Sequence, residues 1–254
     1  MGLLTAGGAA GAAGCIAAGA ADGIAAGPAT ASESPTARTP AWPAGPASCR
    51  ATVTFRTAPS ARLVALTVDD GPTRRWTPQV LRILGRHGAK ATFFLVGTRA
   101  QANPGAVARA IDAGHEVANH TWAHDDLTQH DEGLDRASLE RTHELLARLA
   151  GRPPVLCRPP YGRIDSVGLA VCASLRYHVM LWSEAVTGSN PEADVDATLR
   201  RASPGSIVLA HDGGPQPNAT LMGQVDRLVG TMTDAGYTFV TVSELLAAPA
   251  QGPA

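Results

Sequence analysis

Residues 66–72 read Leu-Thr-Val-Asp-Asp-Gly-Pro. The apolar, β-branched run from Leu63 to Val68 stops at two adjacent carboxylates and a Gly-Pro pair. The run predicts a buried strand, and Gly-Pro predicts the turn that ends it. Two carboxylates side by side are costly to bury unless a cation compensates them. A metal ion held by one would leave the other free as a base. A solvated Asp-Gly turn is the plainer alternative for this stretch taken alone.

The pattern repeats outward from that strand. Further strands are predicted at Ala91–Val96, Glu116–Ala118, Val155–Cys157, Tyr177–Leu181, Ser206–Ala210 and Tyr237–Val240. Helical periods lie between them: Leu139, Leu146 and Leu149 share one face, as do Val225, Leu228, Val229 and Met232. Thr77-Pro78 and Asn103-Pro104 place a proline in a first helical turn after a capping residue. Gly88, Gly114, Gly151 and Gly236 follow helical runs, where a left-handed cap is wanted. Strand–helix alternation predicts an α/β fold with a parallel sheet and helices outside. About seven such strands predict a distorted or incomplete (β/α) barrel. In barrels of this kind, chemistry gathers at the C-terminal strand ends.

Chemically capable residues do follow the predicted strands. His120-Thr121-Trp122-Ala123-His124 comes after the third. Histidines at i and i+4 lie on one side of a helical turn, a common arrangement for two metal ligands. Upstream, His115-Glu116 and His120 imitate an HExxH site, but the spacing is one residue too long, so His115 reads as a strand-entry residue. Arg158-Pro159-Pro160-Tyr161-Gly162 ends the fourth strand, and its prolines stiffen a loop able to aim an arginine. Leu209-Ala210-His211 ends the sixth, placing a group that titrates near neutrality at a strand terminus.

Taken in order, these motifs resemble the NodB-homology polysaccharide deacetylases, carbohydrate esterase family 4, from about Leu63 to Leu246. Thr67 to Pro72 resembles that family's TFDDG motif, with Val68 in place of Phe; His120 to His124 resembles H[ST]xxH, Arg158 to Tyr161 RxPY, and Leu209 to His211 LxH. The resemblance implies a NodB-like barrel and a divalent metal, zinc or cobalt, held by Asp70, His120 and His124. It implies that Asp69 is the base that activates water and His211 the acid that protonates the leaving amine. It implies that Arg158 orients Asp69, that the Tyr161 N–H beside Pro160 stabilises the oxyanion, and that Leu209 lines the acetyl pocket. The fourth motif departs from the family. Ala185 stands where an Asp partner for the arginine is usual, and Gly188-Ser189 replaces an Asp-Trp pair. Glu184 is the expected substitute partner of Arg158, and Trp182 is expected to pack in the core or to touch sugar. The implied activity is N-deacetylation of an acetylated glycan, chitooligosaccharide or peptidoglycan. An O-acetyl esterase acting on xylan and a non-catalytic glycan-binding protein are the alternatives. No G-x-S-x-G supports a serine esterase.

The rest of the chain bounds partners and location. Net charge is −1 over 254 residues, without the clustered Lys and Arg that nucleic acid or an acidic membrane needs. No membrane span is expected in the body. Residues 1–27 are a signal-like Ala/Gly-rich segment lacking a basic leader, which fits a start further upstream or a low-complexity tail. Ala13-Gly14-Cys15 resembles the end of a lipobox, so a lipid anchor at Cys15 is a further alternative. Residues 28–58 read as a Pro/Ala/Ser/Thr-rich linker, 59–248 as the deacetylase domain and 249–254 as a tail. A secreted or cell-surface bacterial monomer is expected. Cys157 and Cys172 could bridge, or stay as two buried thiols. With only four Trp and three Tyr, a long sugar-stacking groove is not expected.

Overall fold

The structure, a computed structural model, describes residues 50–250. The signal-like segment, Cys15 and most of the linker lie outside the described residues, as do the last four residues of the tail.

Among the described residues, nine strands form one sheet: β1 (Thr52–Thr54), β2 (Leu63–Asp69), β3 (Ala91–Leu95), β4 (Glu116–Asn119), β5 (Leu156–Cys157), β6 (His178–Met180), β7 (Glu184–Ala185), β8 (Ile207–His211) and β9 (Thr238–Phe239). Eight helices accompany them: α1 (Thr77–Arg86), α2 (Gly97–Ala102), α3 (Pro104–Asp112), α4 (Glu132–Ala150), α5 (Ser166–Ser174), α6 (Pro191–Arg201), α7 (Ala219–Asp234) and α8 (Val242–Ala247). The strand order is β1-β6-β5-β4-β3-β2-β8-β7, with β9 on the start of β2, and every pair is parallel. The result is the expected incomplete barrel, curled and open between β7 and β1.

The strands are near-continuous apolar runs because both of their faces are covered. Side chains alternate between two separate cores. Val64, Leu66, Val68, Phe93, Leu95, Val208 and Ala210 face the helices, where they meet Val80, Leu84, Val225 and Leu228. Ala65, Phe94, Ala118, Leu156, Met180 and Ile207 face the barrel interior, plugged below by Val242 and Leu245 of α8. That parity also aims the site residues, as described below.

Several local expectations change. Residues 52–54 pair with β6 as an edge strand, so the linker boundary at residue 58 is too late. Arg56 and Thr57 are likewise tied to the chain before β8. Thr77 is the first residue of α1 rather than its cap: the N-cap is Trp76, and the Thr77 hydroxyl donates to Asp212. Asn103 does cap α3, but without a side-chain hydrogen bond. Gly151 closes α4 at φ 67°, the left-handed cap expected of it. His115 enters β4 and packs against the Phe93 ring at 5.5 Å. Cys157 and Cys172 are both buried free thiols. Their mutual hydrogen bond, and then burial, push the Cys157 thiol well up, which keeps it neutral.

One buried acid opposes the fold. Asp135, in the first turn of α4, is fully buried with both carboxylate oxygens unpartnered, and His130 Nδ1 lies 3.7 Å away. Burial pushes its carboxyl up to about 6; His130 pulls it partly back, and Asp165, Asp131 and Asp125 add to the rise. The unfolded chain ionises this group near its ordinary value of 3.8. The neutral form therefore favours folding fully below that value, and the advantage is lost as pH rises towards 6. Asp135→Asn is expected to add about 1–2 kcal/mol, a few degrees of Tm, at pH 8 and little at pH 4. Thermal unfolding at the two pH values checks this; an equal change at both would refute it.

Candidate active site

Strand parity brings the site together. Counting every second residue from the inward-facing Ala65, Ala118, Leu156, Met180 and Ile207 leads to Asp69, His120, Arg158, Trp182, Leu209 and His211. Register then sets them side by side. Asp69 of β2 pairs with His211 of β8, and the Asp212 N–H donates to the Asp69 carbonyl at 3.1 Å. Asp70 would point outward if the strand continued. It instead adopts a left-handed conformation, φ 71°, and its carboxylate returns to the interior side.

Asp70, His120 and His124 each offer a ligand atom, and these atoms lie within 4.8 Å of one another. Both Nε2 atoms approach a single Asp70 oxygen, at 3.3 Å from His120 and 3.0 Å from His124. That oxygen is buried and receives no aligned hydrogen bond. Burial raises the Asp70 carboxyl, but the two imidazoles beside it more than offset this and hold it well below the usual carboxylate range. His120 Nδ1 sits 2.7 Å from the Arg158 carbonyl. Donation there leaves the Nε2 lone pair free, the outer-sphere arrangement of metal-binding histidines. One carboxylate and two imidazoles converging on a common point, with an orphaned oxygen, fit a divalent ion of the zinc or cobalt type. The histidines are not on a helical turn, as their spacing suggested. They flank a loop in which Thr121 (φ 63°) and His124 (φ 67°) are left-handed. Asn119 anchors that loop: its side chain donates to the Leu139 carbonyl and the Tyr177 hydroxyl, and accepts from the Thr121 N–H.

Arg158 is fully buried between the Phe94 ring, at 4.1 Å, and the more distant Trp182 ring, at 5.6 Å. Its Nη1 donates to Asp69 Oδ1 at 2.8 Å and to Thr67 Oγ1 at 2.7 Å. Nε and Nη2 donate to the carbonyls of Met180 and Leu181. Burial draws the guanidinium below its ordinary value, and Asp69 pulls it back up. The expectation for Glu184 is overturned. Its carboxylate accepts from Arg201 Nε at 2.9 Å. The reason is parity: Glu184 is in register with the outward Val208, and Ala185 with the inward Leu209. Two backbone carbonyls, not a second carboxylate, accept from Nε and Nη2 of Arg158.

His211 Nδ1 is buried without a partner. Burial pushes His211 below the usual histidine range, and Asp69 and Asp70 pull it part of the way back. The next residue, Asp212, is fully buried beneath the Asp69–Pro72 turn. It accepts from Thr77, and its carbonyl accepts from the Thr73 hydroxyl at 2.8 Å. A Cβ at Gly71 would collide with its carboxylate, so only glycine fits there. Asp212 thus ties the turn that follows β2 to the end of β8. It stands beside His211 in the sequence, but its burial gave no advance sign.

Asp69, Asp70, His120, His124 and His211 line one cleft of about 500 Å³ at the C-terminal strand ends, with Arg158 and Asp212 buried behind its wall. Tyr161, at φ 60°, is exposed on its rim, with its ring 4.8 Å from that of His124; Pro160 is buried behind it. Trp182 lines the cleft and also packs against the interior core. Leu209 and Ala185 lie deep on the β7–β8 side. Where a Trp wall was missing from the sequence, Gly188 donates to Gln216 Oε1 at 2.8 Å, and Gln216 and Thr187 line the cleft. Sequence reasoning missed Arg99, another cleft residue, although it follows a strand end like the rest.

A family profile described as polysaccharide deacetylase matches residues 56–180. A peptidoglycan-N-acetylglucosamine deacetylase of Bacillus cereus is 36% identical over 200 residues, covering 76% of this chain and 92% of that protein. A chitooligosaccharide deacetylase of Sinorhizobium fredii is 36% identical over 194 residues, covering 75% of this chain and 85% of its own length. A crystal structure of a peptidoglycan N-acetylglucosamine deacetylase aligns with a TM-score of 0.73 at 30% identity, over 79% of this chain and 95% of the other. Relatives this similar over most of their own length, sharing the parallel half-barrel, show that the chain belongs to the polysaccharide deacetylase family.

Proposed function

We propose that this chain hydrolyses N-acetyl groups on an amino-sugar glycan of peptidoglycan or chitooligosaccharide type, using a divalent metal, zinc before cobalt. The supporting observation is the convergence of Asp70, His120 and His124 on one point, flanked by the Arg158–Asp69 pair and His211. The names of the relatives support the substrate class.

When bound, the metal would polarise the acetyl carbonyl and make water a better nucleophile. The protein residues divide the remaining work. Asp69 Oδ1 is occupied by Arg158, whereas Oδ2 faces the ligand cluster, 3.9 Å from His120 Nε2. Oδ2 is therefore the atom that takes the proton from the attacking water. An amine leaves poorly unless it is protonated, so amide cleavage needs an acid. His211, beside Asp69 across the β2–β8 register, supplies that proton from its imidazolium form, which the Asp69 and Asp70 charges favour against burial. The Tyr161 N–H is the donor assigned to the oxyanion, an interaction typically worth about 3 kcal/mol. Leu209, with Ala185 beside it, receives the acetyl methyl. The site of action would be the bacterial wall, outside the membrane; among the described residues no helix is long and apolar enough to cross one.

The test is acetate release from chitin oligomers, peptidoglycan fragments and acetylated xylan, measured before chelation, after it, and after adding zinc or cobalt. Release from the N-acetylated glycans, abolished by chelation and restored by either ion, is the expected result. Release from xylan alone would replace this reading with an O-acetyl esterase. Activity that survives exhaustive chelation would remove the metal from the mechanism.

A further inference from the structure

The cleft carries more positive charge than the reaction uses. Arg158 is balanced by Asp69, and Asp70 would face the metal cation. Arg99, in α2 just beyond the C-terminal end of β3, also lines the cleft. Its Nη1 donates to the Asp70 carbonyl. Among the described residues no carboxylate lies within ion-pair distance of it. Asp212, whose carboxyl feels the Arg99 charge through space, is fully buried and bonded to Thr77. A second arginine, outside the cleft lining, is linked to Arg99 through Asn103. Arg74, exposed in the β2–α1 loop, has its Nε 3.4 Å from Asn103 Oδ1, and Asn103 Nδ2 donates to the Arg99 carbonyl. Among the described residues Arg74 has no carboxylate partner either. Since the whole chain carries a net charge of −1, this excess is local.

A guanidinium offers five N–H donors in a planar fork that matches a carboxylate. Donation to the Asp70 carbonyl uses one of them, and Arg99 lines the cleft with the others available to a ligand. We infer that Arg99, with Arg74 behind it, forms an anion subsite beside the acetyl pocket. It takes a carboxylate carried by the acetylated saccharide itself or by a peptide attached to it. This rests on the deacetylase reading and deepens it: the preferred substrate is acidic, and neutral chitin-type chains are the poorer ones.

Three substrates separate the sources: a neutral chitin oligomer, a peptide-free strand containing N-acetylmuramic acid, and the same strand bearing stem peptides. The readout is the ratio of kcat/KM, acidic over neutral, for the metal-loaded enzyme. Affinity for N-acetylmuramic-acid disaccharide against chitobiose, measured by calorimetry, supplies a second readout independent of turnover. Wild type is expected to favour the acidic chains about tenfold, with the preference shrinking as salt rises. Arg99→Gln should collapse that ratio about tenfold, and Arg74→Gln should reduce it less. Preference for the peptide-free strand assigns the sugar's own carboxylate; preference for the peptide-bearing strand alone assigns the peptide's. Loss of the Asp70 contact in Arg99→Gln lowers all substrates alike and cancels in the ratio. A ratio and an affinity difference that respond to neither salt nor substitution would overturn the subsite. Absence of acetate release from every substrate would instead overturn the deacetylase reading, while the calorimetry still decides the subsite.

Discussion

Asp69→Asn is expected to lower kcat for acetate release by about 100- to 10,000-fold while metal affinity stays within a few-fold of wild type. The substitution is nearly isosteric and can keep an oxygen facing Arg158 Nη1, which lies 2.8 Å from Asp69 Oδ1. It removes the basic oxygen that faces the ligand cluster. The metal set of Asp70, His120 and His124 is left intact, because its atoms converge without help from Asp69. Acetate release, read together with the metal content of the purified variant, checks both halves. Full activity would remove Asp69 from the base role. Loss of metal together with loss of activity would make Asp69 a ligand instead.

Much of this site could be read from the sequence because parity and chemistry coincide. Asp69, His120, Arg158, Leu209 and His211 each stand two or four residues beyond an inward-facing apolar residue of their own strand. The apolar run marked each strand, and the period of two along it carried the aim of the side chain. The missed strands lacked that signal. Residues 52–54 lie at the sheet edge with exposed side chains and no apolar run, and β7 is two residues long. Glu184 was misassigned for the opposite reason. Its place next to Ala185, where an Asp partner is usual, suggested a carboxylate for Arg158, but its register with Val208 turns it outward. The histidine loop was located correctly and its shape was not. Spacing of i and i+4 arises from a helical turn or from a loop with two left-handed residues, and Thr121 and His124 take the second route. Arg99 and Asp212 stayed hidden because no carboxylate pairing or spacing marks them; only the assembled cleft shows what each one faces.

Arg158→Met should be the most damaging single change to stability in the site. A fully buried guanidinium here serves four acceptors: the Asp69 carboxylate, the Thr67 hydroxyl and the carbonyls of Met180 and Leu181. Methionine fills much of the volume but serves none of them. Breaking a buried pair by removing one partner typically costs about 3–5 kcal/mol, because the other charge is left uncompensated. That corresponds to a fall in Tm of about 6–20 °C for a domain of this size. Removing both charges relieves part of the penalty. The Asp69→Asn/Arg158→Met double variant is therefore expected to be more stable than the two single losses predict, by about 1–3 kcal/mol. Activity should show the same coupling. Arg158→Met should lose nearly as much kcat as Asp69→Asn, and the double variant little more than either, because the pair acts as one unit. Arg158→Lys separates charge from geometry: one ammonium can compensate Asp69 but cannot span the carbonyls of both Met180 and Leu181. It should recover part of the stability and less of the turnover. Thermal unfolding and acetate release across the four proteins of the cycle decide the matter. Strictly additive losses in both would mean that Arg158 braces β5 and β6 without positioning Asp69.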